Sequence, residues 1–297
     1  MRTLQSHALT ARTAPRRRAP WGIFLAFALV GLTVTGRLAA AEGAAAPQPE
    51  TVAIRNGSLT LHALLWRPEG SGPFPAVLFN HGSGATSEPE KAAALGPVFA
   101  RHGYVFLFLY RRGSGLSADA GTPAADLMAK EVASKGIDGR DALLLELLDQ
   151  HLTDVRAGLA FLRKVPGVDK KRIAVAGHSF GGSLALLVSA DDDDIRAVLD
   201  FSGAAQSWAT SDKLRSRLMD AVDNTKAAVF FLHAENDYSI APGVALSTEM
   251  LRLDKPRRFE VYPAVGKTME DGHDLVYLAV EAWEGDVFGF LEEYLRP

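Results

Sequence analysis

The chain has 297 residues, 47% of them apolar and 23% charged, which suits one large buried core and excludes a disordered or collagen-like protein. Its formal net charge is −3 and it holds no cysteine, so disulfide staples and a cysteine nucleophile are excluded. At the N-terminus, Arg12, Arg16, Arg17 and Arg18 form a basic stretch with no acid before Glu42, and Trp21 to Gly36 is uncharged. Ala39 and Ala41 then supply a small-x-small cleavage pattern. Together these features read as a secretory signal peptide over residues 1–41 and predict export to the periplasm or beyond. An uncleaved membrane anchor is the alternative, but the apolar run is shorter than the ~18 residues expected of a span. Removing residues 1–41 takes away six arginines and no acid, leaving 26 basic against 35 acidic residues and a net charge of −9. A nucleic-acid binder needs the opposite balance. No stable membrane association is expected after cleavage, and oligomeric state is left open.

Residues 42–50 are Ala/Pro-rich and read as a linker; residues 51–297 read as one domain. Thr51–Arg55 and Ser58–Trp66 flank Asn56-Gly57, a two-residue hairpin signal. Apolar runs follow at Ala76–Phe79, Tyr104–Tyr110, Arg172–Ala176, Ala197–Phe201, Ala227–Leu232 and Arg258–Tyr262. Such runs, apolar without alternation, suit parallel strands covered on both faces. Between them, Leu144, Leu148, Leu152, Val155, Leu159 and Leu162 make one helical stripe that stops before Pro166-Gly167. Asp286–Leu295 reads as a closing helix, and Asp191–Asp194 as a solvated acidic loop rather than a calcium site. The order implies an α/β fold: a mostly parallel twisted sheet with an antiparallel N-terminal hairpin, helices on both faces and a minimal cap.

Gly177-His178-Ser179-Phe180-Gly181 matches G-x-S-x-G between an apolar strand ending at Ala176 and a helix that can begin at Gly182. That context fits a sharp strand-to-helix turn with the Ser179 hydroxyl exposed. A serine hydroxyl needs a base, itself held by an acid, and behind such an elbow both follow in chain order. His273, after the last strand, is the candidate base. Asp237, just past Ala227–Leu232, is the candidate acid, with Glu235 nearby and Asp200 farther off as rivals. The second oxyanion donor, beside the Phe180 N–H, is expected at Ser83, with Gly84 next, in Asn80-His81-Gly82-Ser83-Gly84. His81 reads as a loop-shaping residue, and His178 as packed beside the nucleophile.

These residues, with Arg67-Pro68, Pro73-Phe74-Pro75-Ala76-Val77 and Arg111-Arg112-Gly113-Ser114-Gly115, resemble the α/β-hydrolase superfamily and its dienelactone-hydrolase-like branch from about Leu61 to Leu295. The resemblance implies attack on a carboxylic ester through an acyl-enzyme, with a small-molecule ester as partner and no metal or organic cofactor. Dienelactone hydrolases proper use cysteine; Ser179 makes the chain more similar to the serine carboxylesterases of that branch. The short stretch from Gly203 to Lys226 leaves no room for a large lid and favours small or accessible esters. Trp208 and Leu214 are expected on a small rim and Tyr238 facing the acyl pocket. Arg111 and Arg112 read as a structural turn, or else as contacts to an anionic substrate group. A peptidase or amidase with the same residues and a non-catalytic binding protein are the competing classes.

Overall fold

The computed structural model describes residues 48–84 and 89–296. The expected signal peptide and all but the end of the expected linker lie outside them. Glu50, assigned to that linker, already pairs with Leu65 in the sheet.

In chain order the elements are β1 (Glu50–Asn56), β2 (Leu59–Trp66), β3 (Phe74–Asn80), α1 (Pro89–Arg101), β4 (Val105–Tyr110), α2 (Ala124–Leu162), β5 (Val168–His178), α3 (Phe180–Ala190) and β6 (Ile195–Phe201). They continue with α4 (Asp212–Asn224), β7 (Ala228–Ala234), α5 (Ala241–Arg252), β8 (Arg257–Tyr262), α6 (Met269–His273), α7 (Leu275–Leu278) and α8 (Val280–Tyr294). The strands form one sheet in the order β1-β2-β4-β3-β5-β6-β7-β8. The hairpin β1–β2 and the β2–β4 pair are antiparallel; every other pair is parallel.

Both faces of the sheet are buried, which is why its strands do not alternate apolar with polar residues. The side chains nevertheless sort with period two. Ala76 and Leu78 of β3, Leu107 and Leu109 of β4 and Val229 and Phe231 of β7 face α2–α5. Val77 and Phe79, Phe106 and Phe108, and Phe230 and Leu232 face α1, α7 and α8. The leucine stripe of α2 from Leu144 to Leu162 lies wholly in the first layer. Helix α2 is much longer than that stripe and breaks at Gly136, whose φ of 71° and ψ of −165° are not helical. Its N-terminal part reaches over the sheet end where the site lies. Among the described residues, no helix is long and apolar enough to cross a membrane.

Candidate active site

Strands β3 and β5 are neighbours, with Asn80 opposite Gly177. From β3 the chain turns to one face through α1, and from β5 to the other through α3. The two loops therefore diverge, leaving a crevice at the carboxyl ends of the strands, where open α/β sheets bind ligands. Ser179 stands in that crevice with φ 56° and ψ −117°. A non-glycine residue held there costs ~1–3 kcal/mol, so its surroundings must over-determine it. The Ser179 N–H donates to the Phe201 carbonyl at 2.8 Å. Gly177 and Gly181 supply the space. A Cβ on Gly177 would sit 2.1 Å from the Gly181 carbonyl oxygen, and one on Gly181 2.0 Å from that of Asn80.

The structure brings Ser179, His273 and Asp237 into one chain of hydrogen bonds. Ser179 Oγ lies 2.8 Å from His273 Nε2, and His273 Nδ1 lies 2.7 Å from Asp237 Oδ1. The loop carrying His273 is docked on Asn236, whose amide donates to the Val265 and Thr268 carbonyls at 2.7 Å. Thr268 and Asp271 then close a capping box around the start of α6, which ends on His273. His178 Nε2–H donates to the His273 carbonyl at 2.9 Å, tying the turn at Ser179 to the loop that carries His273. Burial, with the nearby His273 and Lys91, pushes His178 well below the usual imidazole range, so it stays neutral.

One residue of this chain of contacts escaped the sequence reading. His233, the penultimate residue of β7 and 1% exposed, puts Nδ1 2.8 Å from Asp237 Oδ2. The signal was a polar residue inside a fully buried strand, which demands a partner. Although burial works to raise the Asp237 carboxyl, hydrogen bonds from His233 and His273 hold it well below the usual range. The Tyr238 N–H adds a third donor at 2.7 Å. Asp237 therefore stays ionised.

Neither rival acid reaches His273. Glu235 is exposed. Asp200 is buried, its Oδ1 without a hydrogen-bond partner among the described residues, wedged where a Cβ on Gly182 or Gly203 would sit 2.1 or 2.0 Å away. Burial pushes it up to about 7, against a Gly203 backbone hydrogen bond and helped by the Asp237 charge. Between about pH 4 and 7 the unfolded chain releases this proton while the folded chain keeps it, so stability falls as pH rises through that window. Asp200→Asn, which never ionises, should raise the thermal midpoint by several degrees at pH 8 and change it little at pH 4. Equal shifts at both would contradict the buried-proton account.

Behind the nucleophile, the loop after β3 is held from below. His81 Nε2 accepts the Arg111 N–H at 3.2 Å, which leaves the proton on Nδ1 to donate to the Gly82 carbonyl at 2.8 Å. Burial and the Arg111 charge keep His81 neutral. The Arg111 guanidinium, fully buried, also donates to the Gly82 carbonyl at 2.8 Å and to His151 Nδ1 at 3.2 Å. Arg112 pairs with Asp154 through two side-chain bonds of 2.7 and 2.9 Å. Both arginines thus serve the turn, and neither lines a cavity at Ser179. The loop passes close to the nucleophile, since a Cβ on Gly82 would lie 3.7 Å from that of Ser179. Phe180, first residue of α3, has an N–H with no intrahelical partner, as every helix start does.

Two hollows meet at Ser179, sharing Ser83 and Gln206 as walls. One, of about 30 Å³, is lined by Met128, Leu144, Leu148, Phe180, Leu214 and Arg140 among others. The other, of about 290 Å³, is lined by Lys91, His178, Glu270, His273, Asp274 and Tyr277 among others. Trp208, expected on the rim, lines neither hollow and packs partly buried against the core. Leu214 does line the small one. Tyr238 lines neither hollow either: its ring stands edge-on to His273 at 5.2 Å, and its hydroxyl donates to Glu270. The expectation for both residues rested on loop position alone. Much of the small hollow's apolar wall comes instead from α2, 30 or more residues before Ser179.

The family described as the dienelactone hydrolase family matches residues 61–293 of the chain. A curated relative, the quorum-quenching protein AidA of Acinetobacter baumannii, is 26% identical over 151 residues, covering 51% of this chain and 42% of its own length. Among solved structures, an acylaminoacyl peptidase from Pyrococcus horikoshii superposes with a TM-score of 0.61 at 18% identity, over 84% of this chain and 42% of the peptidase. A dienelactone hydrolase from Anabaena variabilis gives 0.59 at 18% identity, over 84% of this chain and 100% of that one. An esterase from Pyrococcus furiosus gives 0.60 at 15%, over 84% and 92%. At these identities the likeness speaks for the fold. The chain spans less than half the length of AidA and of the peptidase.

Proposed function

The chain belongs to the dienelactone hydrolase family, and within that family we propose that it is a serine carboxylesterase acting on small or accessible esters. The observation that carries this reading is the unbroken line of hydrogen bonds Ser179–His273–Asp237, at 2.8 and 2.7 Å, opening into solvent-reachable hollows. His273 Nε2 takes the Ser179 proton as Oγ bonds to the ester carbonyl carbon. The Ser83 and Phe180 N–H groups stabilise the oxyanion. The C–O bond breaks as His273 returns the proton to the leaving alcohol, and water, activated by the same imidazole, releases the acid and restores Ser179. The ionised Asp237 fixes the His273 tautomer and stabilises the imidazolium. In the same reading residues 1–41 direct export.

A fluorophosphonate should label the wild-type protein at Ser179 and leave Ser179→Ala unmodified. Absence of wild-type labelling would sink the serine-hydrolase reading. Aminoacyl anilides turned over faster than p-nitrophenyl esters would move it to an amidase, which the fold alone does not distinguish.

His233 gives a separate prediction. Its hydrogen bond to a buried carboxylate belongs to the stronger class, of ~1.5–3 kcal/mol. His233→Leu should therefore lower kcat about 10- to 100-fold with little change in KM. His233→Asn, which can present an N–H at nearly the same point, should recover much of that loss. Equal activity of both variants to the wild type would show that the bond does not bear on turnover.

A further inference from the structure

The two hollows at Ser179 differ about tenfold in volume, and the small one has the larger apolar share of wall. The direction of the reaction assigns them. The leaving oxygen must take its proton from His273 Nε2, so the alcohol leaves on the side where His273 forms the wall. That is the large hollow. The small one, which His273 does not line, then receives the acyl chain. We propose that the preferred substrate is an ester of a short, uncharged acyl group on a larger, hydroxyl-bearing alcohol. This rests on the esterase reading above.

The acyl limit follows from volume. At about 30 Å³ against about 290 Å³, the small hollow has room for only a short chain beyond the carbonyl carbon. Nor do the walls yield easily. Leu144, Leu148 and Leu214 are at most 3% exposed and packed in the core on α2 and α4. The one cation lining it among the described residues, Arg140, is answered by Asp141 at 3.1 Å and donates to Ser207 at 2.7 Å, so nothing calls for an anionic acyl group.

The alcohol side is the more polar of the two. Lys91 pairs with Asp274 at 3.1 Å and its ammonium lies 4.8 Å from the centre of the Tyr277 ring. Glu270 and the Gln206 amide face the same space. An apolar alcohol would strip water from these groups and return no hydrogen bond. A polyol or sugar hydroxyl replaces that water in kind.

The test is kcat/KM of the purified full-length chain on glycerol monoesters from acetyl to octanoyl, with hexyl acetate beside glycerol acetate and fluorophosphonate labelling in parallel. We expect a fall of at least tenfold between propionyl and hexanoyl, and glycerol acetate preferred to hexyl acetate by about tenfold. Met128→Ala should raise the hexanoyl-to-acetyl ratio at least tenfold; if that variant does not fold, the wild-type series still decides. Octanoyl hydrolysed as fast as acetyl overturns the acyl assignment. Hexyl acetate equal to or better than glycerol acetate overturns the alcohol assignment. A protein that is labelled yet hydrolyses none of these esters overturns the proposal while the nucleophile stands; one that is not labelled removes the esterase reading itself.

Discussion

Asp237→Asn is expected to lower kcat by about 10⁴-fold, while Asp200→Asn changes it by no more than a few-fold. The carboxylate of Asp237 accepts from His273 Nδ1 on one oxygen and from His233 Nδ1 on the other. An asparagine has only one acceptor to offer two histidines. Wherever its amide nitrogen faces His273, donor meets donor, and the imidazole must put its proton on Nε2. That tautomer cannot take the Ser179 proton. Asp200 touches no part of the imidazole, and its asparagine keeps the shape that fits against Gly182 and Gly203. Steady-state kinetics of the two variants, with thermal midpoints to show both are folded, gives the comparison. If Asp200→Asn were as damaging as Asp237→Asn, the acid would have been assigned from the wrong strand.

Gly181→Ala should cost several kcal/mol of stability and remove fluorophosphonate labelling, whereas Gly289→Ala should stabilise the protein by ~0.5–1 kcal/mol. The chemistry of the substitution is the same; the surroundings decide its sign. At residue 181 the new methyl would lie 2.0 Å from the Asn80 carbonyl oxygen and 2.4 Å from that of His81, both rigid backbone. Either α3 backs away from β3 and carries Ser179 with it, or the loop holding Ser83 moves. Residue 289 is an exposed position in α8, and a Cβ added there would meet nothing within 4 Å, so alanine only lowers the entropy of the unfolded chain. Chemical denaturation of both variants measures the difference. A Gly181→Ala protein as stable and as readily labelled as the wild type would mean that the turn is not sterically locked.

The turn that holds Ser179 was legible in the sequence because its requirements are local. A strand, a turn that only glycine permits and a helix lie within about fifteen residues, and each leaves a mark in the pattern. The parallel sheet was legible for a similar reason: burial on both faces turns whole strands apolar. His273, which lies 2.8 Å from Ser179 Oγ, was picked out by chain order, since it follows Ser179 and no later histidine competes.

What the tertiary structure alone decided lies between residues far apart in sequence. Asp200, Glu235 and Asp237 all stand at or near strand ends, and only the path of the chain back from β8 through Asn236 brings His273 to Asp237, 36 positions away. The buried end of β7 turned His233 onto the same carboxylate. Arg111, read as part of a structural turn with a substrate contact as the alternative, is sunk by the fold beneath Gly82. The pocket walls were misplaced onto Trp208 and Tyr238 because loop position says which residues are near a strand end, not where their side chains pack. Met128, Leu144 and Leu148 reach Ser179 only because α2 lies across the sheet. Local sequence carries backbone conformation and burial; side-chain convergence across a crevice is a property of packing, and so the partners of Asp237 and the size of the hollows at Ser179 had to be read from the folded molecule.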